Sequence, residues 1–408
     1  MRNLFAATIV DNYATRAGRM VLHALTLTLV SLMLAACGSG GFNENGTEAA
    51  ATRLSIGKAL FNEVTLSASG QQACATCHAD ETAHADPLGT TLPVGGLTMD
   101  QEGFRSSPSL RYLAANAAFQ RVRDLAFGGF TWDGRADSLA DQPAIPLLDK
   151  SEMANENLGA VVARMRKLSY FEDFRRVYDL PSNATDQQIF DALRLALAIY
   201  QLEDPSFRLF NSKFDRFLDG KVTLTAEESR GLAIFNDATK GNCASCHPSQ
   251  VGPDGSKPIF TNFSYAALGL PRNPNIKANA DPNFYDMGLC GPKRTDLANR
   301  QGFCGQFKVP TLRNIAVTAP YFHNASVATL EQAVSFYATR DIDPARWYPV
   351  VEGRPDVFND LPLRLRGNVI QTAPFGLAPG SAPLLSTQDV SDLVAFLRTL
   401  TDDNPANR

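Results

Sequence analysis

The stretch ACATCHAD (residues 73–80) returns as NCASCHPS at residues 242–249, and each copy contains Cys-x-x-Cys-His. This is the attachment motif of a c-type haem, because two thiols at this spacing can bond both vinyl groups of one haem while the histidine binds its iron. A zinc site is the less favoured interpretation, because both copies end in histidine. The predicted attachment residues and iron ligands are Cys74, Cys77 and His78 in the first copy and Cys243, Cys246 and His247 in the second.

The composition is that of a globular chain with more than one domain. Its 408 residues are enough for two domains, and 44% of them are hydrophobic. The formal net charge of −4 gives no reason to expect a nucleic-acid partner.

The N-terminus resembles an export signal. Two arginines precede an apolar run that extends from residue 20 to Cys37, where Leu-Ala-Ala-Cys resembles a bacterial lipobox. A glycine rather than an aspartate follows Cys37, which favours the outer membrane. We therefore expect residues 1–37 to be a signal peptide, Cys37 to carry lipid, and residues 38–51 to form a flexible tether. The protein would be exported to the periplasm or cell surface; an ordinary signal peptide is the alternative.

Cys290 and Cys304 are the two cysteines that remain after these assignments. An exported protein folds in an oxidising compartment, so we expect these residues to form a disulfide, with free buried thiols as the alternative. Closing such a loop would stabilise the fold by about 3 kcal/mol in the chain-entropy model.

The internal repeat extends beyond the two haem motifs. GKALFNE (57–63) precedes the first motif and GLAIFND (231–237) precedes the second, and each is expected to be helical. Each half then closes with an amphipathic helix that begins at a capping box, at Thr185-x-x-Gln188 in the first half and Ser386-x-x-Asp389 in the second.

This order of elements is that of a cytochrome c domain. We therefore expect a mainly α fold of two tandem cytochrome c-type domains with long loops, covering residues 52–205 and 206–408. Each domain would bury one haem, and the two haems would face the interface between the domains. Long loops are tolerable where a buried cofactor supplies the core around which they wrap.

Few residues can fill the sixth position of either iron. The histidines outside the motifs are His23, in the predicted signal, His84 and His323. Met287 is the only methionine after the second motif, and it lies close to the predicted disulfide. A simple His/Met electron carrier is therefore hard to build at the second site, which favours an unusual ligand.

Two longer stretches resemble the bacterial di-haem cytochrome c peroxidase and MauG superfamily. They are FTWDGRADSLADQPAIPLLDKSEM (130–153) and FKVPTLRNIAVTAPYFHNASVATLEQAVSFY (307–337). With the two haem motifs, the resemblance covers nearly all of the chain after the predicted signal. MauG uses peroxide to complete a tryptophan-derived cofactor in methylamine dehydrogenase.

The resemblance implies that the first haem is the peroxide site. Gln142 and Glu152 would lie over its open face, with Pro146 between them in sequence, and a carboxylate there could take up and return the proton that peroxide cleavage requires. Trp132 would relay electrons between the haems. Without the resemblance, exposed polar groups and a packed tryptophan are the simpler interpretations.

Tyr337 is the residue that the resemblance assigns to the second iron. It follows His323 by 14 residues, where the peroxidases have methionine and MauG-type proteins have tyrosine. A phenolate is a hard anionic donor and would help this haem to hold an oxidising equivalent. His323 would lie beside the iron ligands rather than on the iron. A tyrosine in a helix core is the alternative.

The remaining expectations concern a resting-state ligand and a metal. His84 could cap the first haem or lie near its edge. In the superfamily a calcium ion binds between the haems through carbonyls that correspond to Thr318 and Pro320, with an asparagine where this chain has Ser106. Calcium needs several oxygen ligands, so the site would be weaker here.

The sequence thus predicts a haem enzyme that uses hydrogen peroxide. The favoured function is MauG-like oxidation of a tryptophan or tyrosine on a periplasmic or surface protein. One alternative is a conventional peroxidase that takes electrons from a small cytochrome or cupredoxin. The other is a non-catalytic periplasmic electron-transfer protein.

Overall fold

A computed structural model gives the fold and describes residues 44–87, 89 and 92–404, with side chains from residue 52 onward. The predicted signal peptide and the lipobox at Cys37 lie outside the described residues. The described residues from Glu48 onward form one compact unit.

The compact unit is mainly helical, which confirms the mainly α part of the predicted fold class; the two tandem cytochrome c-type domains stay a prediction. The helices are α1 (Glu44–Phe61), α2 (Cys74–Cys77), α3 (Ala144–Leu148), α4 (Leu158–Met165), α5 (Phe171–Val177), α6 (Asp186–Glu203), α7 (Lys213–Leu218), α8 (Ala226–Asn236), α9 (Leu330–Thr339) and α10 (Thr387–Arg398). None of the described helices has both the length and the hydrophobicity that a membrane span requires.

Short elements make up the rest of the regular structure. The strands form antiparallel pairs: β1 (Val94–Gly95) with β2 (Gln101–Glu102), β3 (Gln120–Val122) with β4 (Leu125–Phe127), β5 (Tyr265–Ala266) with β6 (Phe307–Lys308), and β7 (Val350–Val351) with β8 (Arg354–Pro355). Turns of 3-10 helix cover Val64–Leu66, Asp80–Thr82, Leu113–Ala115, Pro205–Phe207, Cys243–Ser245, Lys277–Ala280, Gln301–Phe303, Ile315–Val317, Pro344–Arg346 and Leu363–Asn368.

The start of α1 corrects one expectation. Residues 44–51, which we assigned to a flexible tether, are helical. Three consecutive alanines at residues 49–51 favour a helix, because alanine loses no side-chain entropy there.

The capping boxes predicted for the two closing helices are both present. The Thr185 hydroxyl accepts from the Gln188 amide at the start of α6, and Ser386 does the same for Asp389 at the start of α10. As expected for amphipathic helices, each buries one apolar face. The buried residues are Ile189, Leu193, Ala196, Leu197 and Tyr200 in α6 and Leu393, Val394 and Leu397 in α10, and Val390 of α10 is half-buried.

The repeated glycines, Gly57 and Gly231, allow close helix packing. In the first half α6 crosses α1, and in the second half α10 crosses α8. A Cβ on Gly57 of α1 would lie 2.7 Å from the Ala196 carbonyl oxygen of α6, and one on Gly231 of α8 would lie 2.0 Å from the Asp392 carbonyl oxygen of α10. Glycine is therefore required by close backbone approach at the same place in both halves.

Two separate hydrophobic cores surround these crossings. One contains buried residues between Ile56 and Phe207, and the other contains buried residues between Phe214 and Leu400. The cores fall on either side of the predicted domain boundary near residue 205, but both belong to the one compact unit, so the boundary itself stays a prediction.

Candidate functional site

The two Cys-x-x-Cys-His motifs lie on the wall of one cavity of about 470 Å³. This volume is within the range of ligand-binding pockets, roughly 300–1,000 Å³. The cavity wall includes nearly all of the predicted site residues: Cys74, Cys77, His78, Trp132, Gln142, Pro146, Glu152, Cys243, Cys246, His247, Thr318, Pro320, His323 and Tyr337.

The histidine of each motif is held in the same way. Nδ1 of His78 lies 3.0 Å from the carbonyl oxygen of His84, and Nδ1 of His247 lies 2.8 Å from that of Phe260. A backbone carbonyl at Nδ1 leaves Nε2 as the free ring nitrogen. Burial lowers the pKa of His78 and lowers that of His247 to about 4, which favours the neutral form that binds metals.

The cysteines of the two motifs are also arranged for attachment. The helix α2 places Cys74 and Cys77 on one turn, and a 3-10 turn ending at Cys246 does the same for the second pair. All four are unpaired thiols. By contrast, Cys290 and Cys304 form a disulfide, which confirms the predicted pairing.

Glu152 and Gln142 bring unpaired polar groups to the cavity. No hydrogen bond from a described residue reaches either side chain, and both are half-buried. Burial raises the pKa of Glu152 to about 7, the Asp149 carboxylate adds to the rise, and Lys293 and Arg135 oppose it. Such a carboxyl is present in both protonation states near neutral pH.

Tyr337 lies on α9 with its ring against Phe375, at a centroid distance of 5.2 Å. Among the described residues, none forms a hydrogen bond with its hydroxyl. Burial raises the pKa of Tyr337, and the nearby Cys243 and Cys246 contribute to the rise. Tyr265 by contrast donates to the Gly128 carbonyl at 2.7 Å, whereas the Tyr178 hydroxyl also lacks a hydrogen-bond partner among the described residues. A phenol left unpaired beside the second motif fits an iron ligand.

Trp132 and His323 meet at the centre of the cavity wall. Their ring centroids are 6.5 Å apart in an edge-to-face arrangement, and His323 is stacked on Phe307 at 3.3 Å. The indole nitrogen of Trp132 donates to the Ser106 carbonyl at 2.9 Å, and the Ser106 amide donates to the His323 carbonyl at 2.8 Å. Nε2 of His323 lies 3.5 Å from Asp360 and has no hydrogen bond.

His84 does not line the cavity, so the structure gives no support to the suggestion that it caps the first haem. It is 2% exposed, is stacked on Phe207 at 3.9 Å, and is absent from the cavity wall. Its backbone is left-handed, with φ of 56°, and its carbonyl accepts from His78, so its ring packs behind that ligand.

The calcium site stays a prediction. The carbonyl oxygens of Thr318 and Pro320 accept no hydrogen bond from the described residues. The hydroxyl of Ser106 donates to the Phe322 carbonyl at 2.9 Å. No cluster of three metal-binding side chains of the His, Cys, Asp or Glu type occurs in the described part of the chain.

Sequence reasoning missed the ion pairs around the site. Arg105 binds Asp133 and Asp286 through hydrogen bonds of 2.7–2.8 Å, and Lys293 pairs with Asp149. Arg105 stands beside Ser106 in the stretch FRSSPSL, but its acidic partners lie 28 and 181 residues away, so no local pattern reveals them.

The donor sets fit two c-type haems. Each motif presents two unpaired thiols and a histidine with a free Nε2 to one cavity. The side chains on the rest of the wall differ between the two, with the Glu152 carboxyl near the first motif and the Tyr337 phenol near the second.

Comparisons with known proteins agree with this geometry. Residues 51–223 match the family model described as di-haem cytochrome c peroxidase. The methylamine utilization protein MauG of Paracoccus denitrificans is 33% identical over 94% of this chain and 96% of its own. The cytochrome c551 peroxidase of Nitrosomonas europaea is 29% identical over 95% and 94%.

A solved structure extends the likeness to three dimensions. The diheme peroxidase BthA of Burkholderia thailandensis is 35% identical, with a TM-score of 0.78 over 86% of both chains. The chain therefore belongs to the di-haem cytochrome c peroxidase/MauG family of haem enzymes, which implies two c-type haems.

Proposed function

We propose that this protein is a MauG-like, peroxide-dependent oxidoreductase that oxidises a tryptophan or tyrosine on a partner protein. Hydrogen peroxide is activated at the first site, and the oxidising equivalents are shared with the second. Each half, residues 52–205 and 206–408, holds one haem that faces the other. The observation that carries the proposal is Tyr337, whose hydroxyl is unpaired beside the second motif.

Glu152 transfers the proton that peroxide cleavage requires, and Gln142 binds the peroxide. When bound, each haem supplies a redox-active iron. The Glu152 carboxylate takes a proton from one peroxide oxygen and returns it to the departing oxygen, so that water can leave. The Gln142 amide orients the peroxide by hydrogen bonds, and Pro146 fills the space beside it. The absence of other partners on both polar side chains supports these roles.

Tyr337 and Trp132 distinguish the second site from a simple electron carrier. A phenolate ligand favours oxidised iron, whereas a thioether raises the potential. Trp132 relays electrons between the sites, and its edge-to-face contact with His323 supports this role. His323 orients the indole without binding iron.

Stopped-flow absorbance of the fully oxidised holo-protein with one equivalent of peroxide tests the proposal. Simultaneous changes in both haem spectra, without prior reduction, are expected for a MauG-like enzyme. A reaction that begins only after the second haem has been reduced would contradict the proposal and indicate a conventional peroxidase with a cytochrome or cupredoxin donor.

Conventional peroxidase activity is the second candidate, because relatives that carry the name peroxidase are 29% and 35% identical, against 33% for MauG. A purely electron-transferring protein is less well supported. Such a protein would need two haems whose irons have protein ligands on both sides. The unpaired Glu152 carboxyl near the first motif would have no role in electron transfer. Cyanide binding to the oxidised protein separates these cases, because only an open haem binds it.

Export with a lipid anchor at Cys37 and binding of one calcium ion complete the proposal. The first rests on the sequence of residues 1–37. Labelling with a radioactive fatty acid should fail in a Cys37→Ala variant, and metal analysis of the purified holo-protein should find calcium at one ion per chain.

A further inference from the structure

The loop closed by the Cys290–Cys304 disulfide has no part in the proposed function, yet it belongs to the second half and contacts the first. Its base is a small hydrophobic core, to which Leu289, Leu297 and Phe303 contribute together with the two cysteines. Leu289 is fully buried. The disulfide and this core give the loop a fixed position from which its polar side chains can reach outward.

Lys293 reaches from this loop to the peroxide site. Its ammonium forms an ion pair with Asp149, 144 residues earlier in the chain, and lies 5.4 Å from the ring centroid of Phe104. Lys293 also contributes to the cavity wall. The side chains of Lys293 and Asp149 are 28% and 14% exposed, so water screens the pair only in part.

Asp149 in turn fixes the turn that carries Glu152. Its carbonyl accepts from the Glu152 amide at 3.0 Å, and its carboxylate accepts from the amide and hydroxyl of Ser151 at 2.9 and 2.8 Å. The backbone carbonyl and the side-chain carboxylate of Asp149 therefore both stabilise the 149–152 turn. A change in the position of Asp149 would move the Glu152 carboxyl with it.

Arg294, the next residue of the loop, holds a second segment of the first half. Its Nη1 donates to the carbonyls of Asp133 and Gly134 at 2.9 and 3.1 Å, and its guanidinium lies 3.7 Å from the Phe119 ring centroid. Asp133 directly follows Trp132 in the chain. Adjacent residues of one loop thus contact the two segments that carry Glu152 and Trp132.

We propose that the loop from Cys290 to Cys304 is a positioning element for the peroxide site, in which Lys293 holds the 149–152 turn and thereby aims the Glu152 carboxyl into the cavity. The inference rests on the proposed function. Lys293 is a positioning residue, because it acts through Asp149 and need not contact peroxide. The second half thus completes the first site as well as its own.

The test compares holo-proteins that carry Lys293→Met, Lys293→Arg or Glu152→Gln. A matched control is Lys277→Met, since Lys277 also pairs with a carboxylate, Glu102, but is 71% exposed and outside the cavity wall. One readout is the rate constant for peroxide. The other is the association rate of cyanide, which involves no turnover and depends on a base, because hydrogen cyanide loses its proton on binding.

We expect Lys293→Met to slow both reactions about tenfold, because small misplacements of a catalytic group can cost up to about a hundredfold. Lys293→Arg should restore most of the rate, since it keeps the charge, and Lys277→Met should behave as the wild type. Haem content should be unchanged in all variants. Wild-type rates in Lys293→Met, with slow rates in Glu152→Gln, would overturn the inference alone. Wild-type rates in Glu152→Gln would instead overturn the role of Glu152 in the proposed function.

Discussion

Replacing Tyr337 by phenylalanine separates an iron ligand from a packed core residue. The variant keeps the ring that contacts Phe375 and removes only a hydroxyl that has no hydrogen-bond partner among the described residues. A hydrogen bond contributes about 0.5–1.5 kcal/mol to stability, and none is lost here, so a merely packed tyrosine should tolerate the change within about 1 kcal/mol. Its spectrum would also stay the same.

An iron ligand gives a different outcome. The second haem should keep its thioether bonds to Cys243 and Cys246 but change its absorbance and reduction potential, within the roughly 0.8 V that axial ligands span. Optical redox titration of the holo-protein measures both. Tyr265→Phe is a suitable control, because Tyr265 lies outside the cavity wall and its hydroxyl donates to the Gly128 carbonyl at 2.7 Å. That variant should lose about 1–3 kcal/mol of stability with unchanged haem spectra. An unchanged spectrum and potential in Tyr337→Phe would refute the ligand assignment.

Three further predictions concern the catalytic carboxyl and the fold. Because burial raises the pKa of Glu152 to about 7 and the deprotonated form is the base, the rate constant for peroxide should rise with pH through about 7 and then level off, a dependence that Glu152→Gln should abolish. Arg313→Met should destabilise the protein by about 3–5 kcal/mol in denaturant unfolding, because it removes the two hydrogen bonds that Arg313 makes to the buried Asp215 carboxylate. Gly231→Ala should cost about 1–3 kcal/mol through its backbone clash, whereas Gly367→Ala, with no atom within 4 Å, should not destabilise; equal stability of both would contradict the crossing argument.

The sequence predicts the local parts of this molecule well. The haem motifs, the two capping boxes and the Cys290–Cys304 pairing depend on residue types a few positions apart or on simple counting, and covalent geometry restricts what such spacings can mean. The glycines at residues 57 and 231 were visible as a repeat. Each glycine allows close approach to a closing helix more than 130 residues later, and only the three-dimensional structure reveals this contact.

Long-range polar contacts could not be predicted in this way. Lys293 pairs with Asp149, and Arg105 pairs with Asp286, across 144 and 181 residues, and charge patterns carry no information at such distances. The orientation of His84 was equally inaccessible. Its spacing from His78 does not reveal that its carbonyl contacts the His78 ring or that its own ring stacks on Phe207.

The two halves share their glycine crossings and motif histidines, and they differ in the other predicted site residues. Both use a glycine crossing and a histidine whose Nδ1 lies at hydrogen-bond distance from a backbone carbonyl, so the same ring nitrogen, Nε2, would be available to bind iron in each. The other predicted site residues come from segments that are not repeated, with Glu152 in a turn after α3 and Tyr337 in α9. A duplicated scaffold can keep its attachment geometry while these segments change, because they contribute little to the helix crossings. Under the proposed function, specialisation of one site for peroxide and the other for storing oxidising equivalents would require only a few side chains, together with the proposed positioning loop 290–304.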